Sequence, residues 1–270
     1  MEKLPISIGI LGWNSNNSSL PNTLFSYLRN DFFNITDDIT IFFQEIDDED
    51  KKLAEYFNIK YIGADTNVGI AKAFHSCISQ AKYDNFIMLE HDWYLKRNFQ
   101  ETYDILKASL KMVNEEGYDC VKLKHMTEPG FPDFIIYNYS NNPLEHYCNE
   151  IGLHHPHLLD TCHIFRDIHK LFPGKIDQTF IDGKMFYTST SRYGNYTNQP
   201  CLYKTEFYKN ILEEFMGPGD TLEGKVHKWW SRQNFKVAHS EGLFTHFDVV
   251  KYAPYWETVN HFVRDKKLFG

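Results

Sequence analysis

The chain has 270 residues, a formal net charge of −8 and a hydrophobic content of 42%, length enough for one large α/β domain with its own core. The acidic balance argues against a protein that grips nucleic acid through its overall field, and no run of roughly 18 apolar residues is present to cross a bilayer. Cys77, Cys120, Cys148, Cys162 and Cys201 form no CxxC pair and read as reduced thiols. With an N-terminal apolar run too short for a secretory signal, they make a cytoplasmic setting the expectation.

Residues 6–11 (ISIGIL) form an apolar run of strand length, ended by Gly12 and a polar NSNNSS loop. Leu20-Pro21 then opens a helical pattern with Leu24, Tyr27 and Leu28 on one side, and proline suits a first helical turn. Residues 39–43 (ITIFF) predict a second strand, and the acidic group at 47–50 a helix start, where negative charge meets the positive end of the dipole. Residues 59–62 predict a third strand, 67–82 a helix and 86–89 a fourth strand.

Strands alternating with helices imply βαβ units and a largely parallel twisted sheet, whose strand carboxyl ends share one edge where such sheets bind ligands. Residues 12–14, 44–48, 64–69 and 90–92 all follow strands directly and are expected to converge there. Beyond them, 100–116 predicts a helix and 119–123 a strand. From about 125 to 198 periodicity is poor, and this stretch reads as long loops with short elements, which usually serve binding. A strand at 201–203, helices near 206–215 and 221–233, and a strand or turn at 237–239 follow.

The stretch 85–95, NFIMLEHDWYL, drives four apolar residues into Glu90-His91-Asp92. Either this is a strand ending in a solvated loop, or it is a metal site at the carboxyl end of a sheet strand. Side chains alternate along an extended chain, so Glu90 and Asp92 can face one way and His91 the other.

Four stretches carry a resemblance to the GT-A-fold glycosyltransferases of the family 2 type. SIGILGWNSNNSSLPNTLFSYL resembles that family's opening strand, turn and following helix. ITIFFQEIDDED is similar to its second strand, NVGIAKAFHSCISQA to an Asn-x-Gly-x-x-x-Ala helix opening, and FIMLEHDW to the strand that ends in an Asp-x-Asp metal motif. Order and spacing agree over residues 6–95. Two positions depart from the pattern: Gln44-Glu45 stands in place of an acidic pair, and Glu90 in place of the first Asp. Further on, GPGDTLEGKVHKWWSRQNFKVAHSEGLFTH resembles the family's acidic catalytic motif, its helix and a later His.

The resemblance implies a single GT-A-like domain over 1–270, with a nucleotide-sugar-binding half at 1–124, an acceptor-binding half at 125–270 and an irregular acceptor-side insertion. It implies a metal-dependent, inverting transfer of sugar from a nucleoside-diphosphate sugar to an acceptor hydroxyl, with a glycan as the expected acceptor and nucleic acid disfavoured by the net charge. Mn²⁺ or Mg²⁺ would offset the charge of the departing diphosphate. Asp92 is the first candidate ligand, with Glu90 beside it and His246 from the far half of the chain; His239 competes with His246. Asp220 is the candidate base, although an Asp there also caps a helix, and Glu223 is its alternative. Trp13, Asn14, Glu45, Asn67, Gly69, Lys72 and Glu90 are candidate donor contacts. Trp93, Tyr94 and Trp229 are candidate acceptor contacts, each also of a type that fills cores.

Two other readings stand beside this one. A sugar-phosphate nucleotidyltransferase has a similar sheet, but usually an Arg-containing Gly-rich loop after its first strand, and GWNSNNSSLPN has no Arg and one Gly. A catalytically inactive relative would bind a glycan or nucleotide without turnover. The 148–163 segment, CNEIGLHHPHLLDTCH, suggests zinc by composition but lacks paired-Cys spacing.

Overall fold

In a computed structural model of the chain, residues 2–13, 19–124, 168–171, 173–192, 196–217 and 222–246 are described. Asn14, Asp220 and the 148–163 segment lie outside them, so the expectations placed there are not addressed by the structure.

Among the described residues the centre is a ten-stranded sheet. Its strands are β1 (Ser7–Trp13), β2 (Asp38–Gln44), β3 (Lys60–Ala64), β4 (Asn85–Glu90), β5 (Trp93–Leu95), β6 (Cys120–Lys124), β7 (Asp177–Ile181), β8 (Lys184–Thr190), β9 (Cys201–Lys204) and β10 (Lys236–His246). They lie in the order β3-β2-β1-β4-β9-β6-β10-β8-β7, with β5 paired to β10. The pairings orient seven strands one way and leave β5, β8 and β9 reversed. The carboxyl ends of β1 to β4, β6 and β10 therefore share one edge. Because β9 runs the other way, the chain that leads into it arrives at that same edge.

Helices cover both faces, which is why the central strands read as continuous apolar runs. On one face lie α1 (Leu20–Arg29), α2 (Asp48–Tyr56) and α4 (Phe99–Asn114), packed over Ile8, Ile10, Phe43, Leu89 and Leu123. On the other lie α3 (Ile70–Ile78), the helix at Thr205–Phe215 and that at Leu222–Trp230, over Leu11, Phe42, Met88 and Tyr203. With the short α5 (Ile168–Leu171) between them in sequence, the latter two are α6 and α7. Gly9 lets α3 and β4 close on β1: a Cβ there would stand 2.5 Å from Phe86 Cζ and 2.9 Å from Cys77 Cβ.

The acidic start of α2 behaves as its charge suggests. Asp47 accepts from the amides of Glu49 and Asp50, and Asp50 accepts in return from the Asp47 amide, a reciprocal cap. The α3 helix is shorter than the sequence pattern predicts. Asn67 Oδ1 accepts from Gly69 N at 2.9 Å, and Gly69 takes φ +82°, so the chain turns there before the helix begins.

Two features of the second half differ from expectation. Within the stretch expected to be irregular, β7 and β8 form a hairpin through Asp182 and Gly183, both at positive φ (49° and 75°), the conformation a tight right-twisted hairpin turn requires. The short strand or turn expected at 237–239 is the start of an eleven-residue strand, β10. Its register shifts between His239 and Phe244, with Gly242 at φ +79°. Past this bulge the strand turns to pair with β5, which carries His246 opposite Trp93. Among the described residues no helix is long and apolar enough to cross a membrane.

Candidate active site at the carboxyl edge of the sheet

The β4–β5 turn is held by the polar stripe of α1. Residues 19, 23, 26, 27 and 30 recur at helical spacing and so share one face. Ser19 Oγ and Thr23 Oγ1 donate to the His91 carbonyl at 3.1 and 2.6 Å, and Tyr27 OH donates to Trp93 O at 2.7 Å. Ser26 Oγ accepts from Leu95 N at 3.1 Å. These bonds fix the backbone between Glu90 and Leu95 and with it the aim of both carboxylates.

Asp92 meets His246, with Nε2 2.9 Å from Oδ2. Burial alone would raise the Asp92 pKa, but the hydrogen bond and charge of His246, with the charge of His91, hold it below the ordinary carboxylate value. Its Oδ1 is buried and has no hydrogen-bond partner among the described residues. The His246 ring stands edge-on to Trp93, centroids 5.0 Å apart. Asp92 from the first half of the chain and His246 from the second thus meet as a carboxylate–imidazole pair.

Glu90 is in the opposite electrostatic condition. Burial, then the neighbouring charges of Asp92 and Glu223, push its carboxyl up to about 8 against a hydrogen bond from Asn198 that pulls it down. Glu90 Oε1 is buried without a partner. Glu223, in the first turn of α7, accepts from the Asn198 amide N–H at 2.7 Å. Asn198 is itself 7% exposed, and its Oδ1 also has no partner among the described residues. Three unpartnered oxygens, on Glu90, Asp92 and Asn198, belong to side chains linked by contact or charge around this edge. Buried polar groups left unpaired are uncommon in folded proteins and mark places where something else binds.

The donor-side candidates line the neighbouring strand ends. Trp13 is 46% exposed at the end of β1, and its Nε1 lies 3.4 Å from Glu45 Oε2. Glu45, directly after β2, has φ 55°. Gln44 points inward and its Oε1 accepts from Val68 N at 2.8 Å, tying the 65–69 loop to β2. That loop carries Asn67 and Gly69, where a Cβ would meet open space, and it leads to the exposed Lys72 on the first turn of α3.

The acceptor-side candidates separate. Trp93 is buried against His246, and Tyr94 beside it is partly exposed. Trp229 packs between Phe215 and Phe235 at the other end of α7 from Glu223, with Phe207, Asn210, Ile211 and Glu214 around it. His239, the competitor to His246, is fully buried in β10 and paired in register with Lys122; burial and that lysine hold its pKa well below the ordinary imidazole value. Among the described residues no group of three or more His, Cys, Asp or Glu side chains is arranged to hold a metal unaided. Sequence reasoning missed Asn198 and the α1 stripe. The first is marked by nothing in its neighbourhood, and the second is hidden in an ordinary amphipathic pattern.

No protein-family model matches the sequence, and no curated protein matches it. Solved structures do. The fragment 1–349 of TarS from S. aureus superposes with a TM-score of 0.52 at 14% identity over 90% of this chain and 60% of that one. A longer TarS structure gives the same score over 90% of this chain and 36% of its own. The mannosyltransferase PcManGT from Pyrobaculum calidifontis, solved with GDP-Man and Mn²⁺, gives 0.49 at 10% identity over 87% and 54%. The chain thus spans about 60% of the shorter TarS structure and less of the others. The likeness is one of fold: a mixed α/β sheet flanked by helices, of the GT-A type found in glycosyltransferases.

Proposed function

We propose that the protein is a metal-dependent, inverting glycosyltransferase that takes sugar from a nucleoside-diphosphate sugar and passes it to a hydroxyl, with a glycan as acceptor. The observation that carries this reading is the half-buried pair Glu90 and Asp92 at the carboxyl edge of a GT-A sheet, each with a buried oxygen that has no hydrogen-bond partner among the described residues, with the exposed Trp13 at the end of the neighbouring strand β1. Hard carboxylate oxygens suit Mg²⁺ or Mn²⁺, which commonly rest on one or two carboxylates and take their other ligands from substrate phosphates. Asp92 would be the principal ligand, already oriented by His246, with Glu90 and His246 as the further candidates. Bound there, the cation would stabilise the negative charge of the departing diphosphate.

The chain's own residues supply the rest. Trp13 offers an open aromatic face for a nucleobase, with Asn14 and Glu45 as polar partners, while Asn67, Gly69 and Lys72 border the space a diphosphate would occupy. The proton acceptor would be a carboxylate at the start of α7. Asp220 is the candidate by resemblance, and Glu223, three residues on, lies in the electrostatic reach of Glu90. Trp93 and Tyr94 would meet the acceptor, and Trp229 would belong to a more distant part of its path.

Hydrolysis of UDP- and GDP-sugars with and without Mn²⁺ tests this reading. Turnover that EDTA stops is expected. Asp220→Asn and Glu223→Gln should divide between them a loss of transfer with donor binding intact. Full activity in EDTA, or no binding of any nucleoside diphosphate, would refute it.

A further inference from the structure

Asn198 sits in the stretch 196–200, which enters β9 and so reaches the carboxyl edge next to the end of β4. The stretch is anchored at both ends. Tyr196 is buried against Trp230, its hydroxyl 3.4 Å from that of Tyr208, and Pro200 O accepts from Leu123 N at 2.8 Å. Between these anchors the Asn198 backbone amide donates to Glu223 at 2.7 Å, and its side-chain amide acts on Glu90, drawing that carboxyl's pKa down against burial. Asn198 Oδ1 is buried and finds no donor among the described residues.

A buried amide oxygen needs an N–H or O–H partner. Of the neighbouring unpartnered atoms, Asp92 Oδ1 is an acceptor, and Glu90 Oε1 would be one too once a bound cation displaced the Glu90 proton. With a cation in place, none of the described residues supplies the missing donor, which leaves that role to a ligand. We propose that Asn198 is a specificity-determining residue whose side-chain oxygen accepts a hydrogen bond from one hydroxyl of the transferred sugar, held between Glu90 and Glu223. This deepens the glycosyltransferase reading and rests on it. A site built around one hydroxyl rejects a substrate lacking it, because the buried acceptor is then left unsatisfied.

The test uses UDP-glucose, UDP-galactose, UDP-N-acetylglucosamine and GDP-mannose with Mn²⁺. The donor hydrolysed fastest is compared with its monodeoxy analogues in the wild type, Asn198→Ala and Asn198→Asp. In the wild type, removal of one hydroxyl should lower kcat/KM by about tenfold to hundredfold. In Asn198→Ala the same removal should matter by less than about threefold, whereas Asn198→Asp, which retains an acceptor oxygen, should keep most of the discrimination. Binding of UDP or GDP within about threefold of wild type would show that each variant keeps a folded site. Equal discrimination by wild type and Asn198→Ala would overturn this assignment while leaving the glycosyltransferase reading intact. Absence of Mn²⁺-dependent binding and turnover in the wild type would overturn that reading, and this assignment with it.

Discussion

Glu90 offers a way to test the electrostatics of the site without any substrate. In the folded protein its carboxyl holds a proton up to about pH 8, whereas an exposed glutamate releases it near 4.5. Between those values folding takes up a proton, so stability is greatest at the acid end of the window and falls as pH rises through it. Each pH unit inside the window costs about 1.4 kcal/mol. From pH 5 to 7.5 the metal-free wild type should therefore lose about 3 kcal/mol through this one group, a sizeable share of the net stability of a typical domain. Glu90→Gln removes the titration but keeps an oxygen able to accept from Asn198. Urea unfolding of both proteins in EDTA at pH 5 and 7.5 gives the comparison. The stability of Glu90→Gln relative to wild type should grow by about 3 kcal/mol between the two values. Parallel pH dependence in the two proteins would mean that Glu90 is already ionised and solvated, and the case for a strained acidic pair would fail.

Other perturbations address the parts that hold this pair. Asp92→Ala should abolish Mn²⁺-dependent binding of UDP or GDP by titration calorimetry; unchanged affinity would remove Asp92 from the site. Thr23→Val takes away the 2.6 Å bond to the His91 carbonyl in a side chain that is fully buried. It should lower stability by about 1–2 kcal/mol in urea unfolding and weaken nucleotide binding as well, whereas a stability loss alone would mean that α1 does not aim the turn. Gly9→Ala puts a methyl against Phe86 and Cys77 and should cost about 1–3 kcal/mol. Adding Phe86→Leu should recover most of that loss in thermal unfolding, and failure to recover it would place the strain elsewhere.

The first 124 residues were largely legible because their order follows one rule. β1, β2 and β4 are apolar runs buried through most of their length, β1 to β3 each lead into a helix, and a parallel sheet sends its chemistry to the loops after strands. That rule located Trp13, Glu45, Asn67, Glu90 and Asp92 correctly at one edge. It misjudged β10, because Ser240-Glu241-Gly242 breaks the apolar run; those residues form the bulge that aims His246 at Asp92. The hairpin of β7 and β8 escaped because its outer strand is half-exposed and gives no apolar run, although Asp182-Gly183 marks the turn.

Asn198 escaped for a reason that belongs to the topology. Reading a parallel sheet means looking after each strand, and Asn198 lies before one. β9 is inserted antiparallel between β4 and β6, so its amino end, not its carboxyl end, reaches the acidic edge. Any reversed strand in the middle of such a sheet delivers the residues that precede it to the site. The register makes this concrete: Met88 pairs with Cys201, which places residues just before Cys201 alongside Glu90. Once the direction of β9 is known, Asn198 becomes as predictable as Asp92. Nothing in its local sequence reveals that direction, because β9 is four residues long and a short apolar run reads the same whichever way it enters the sheet.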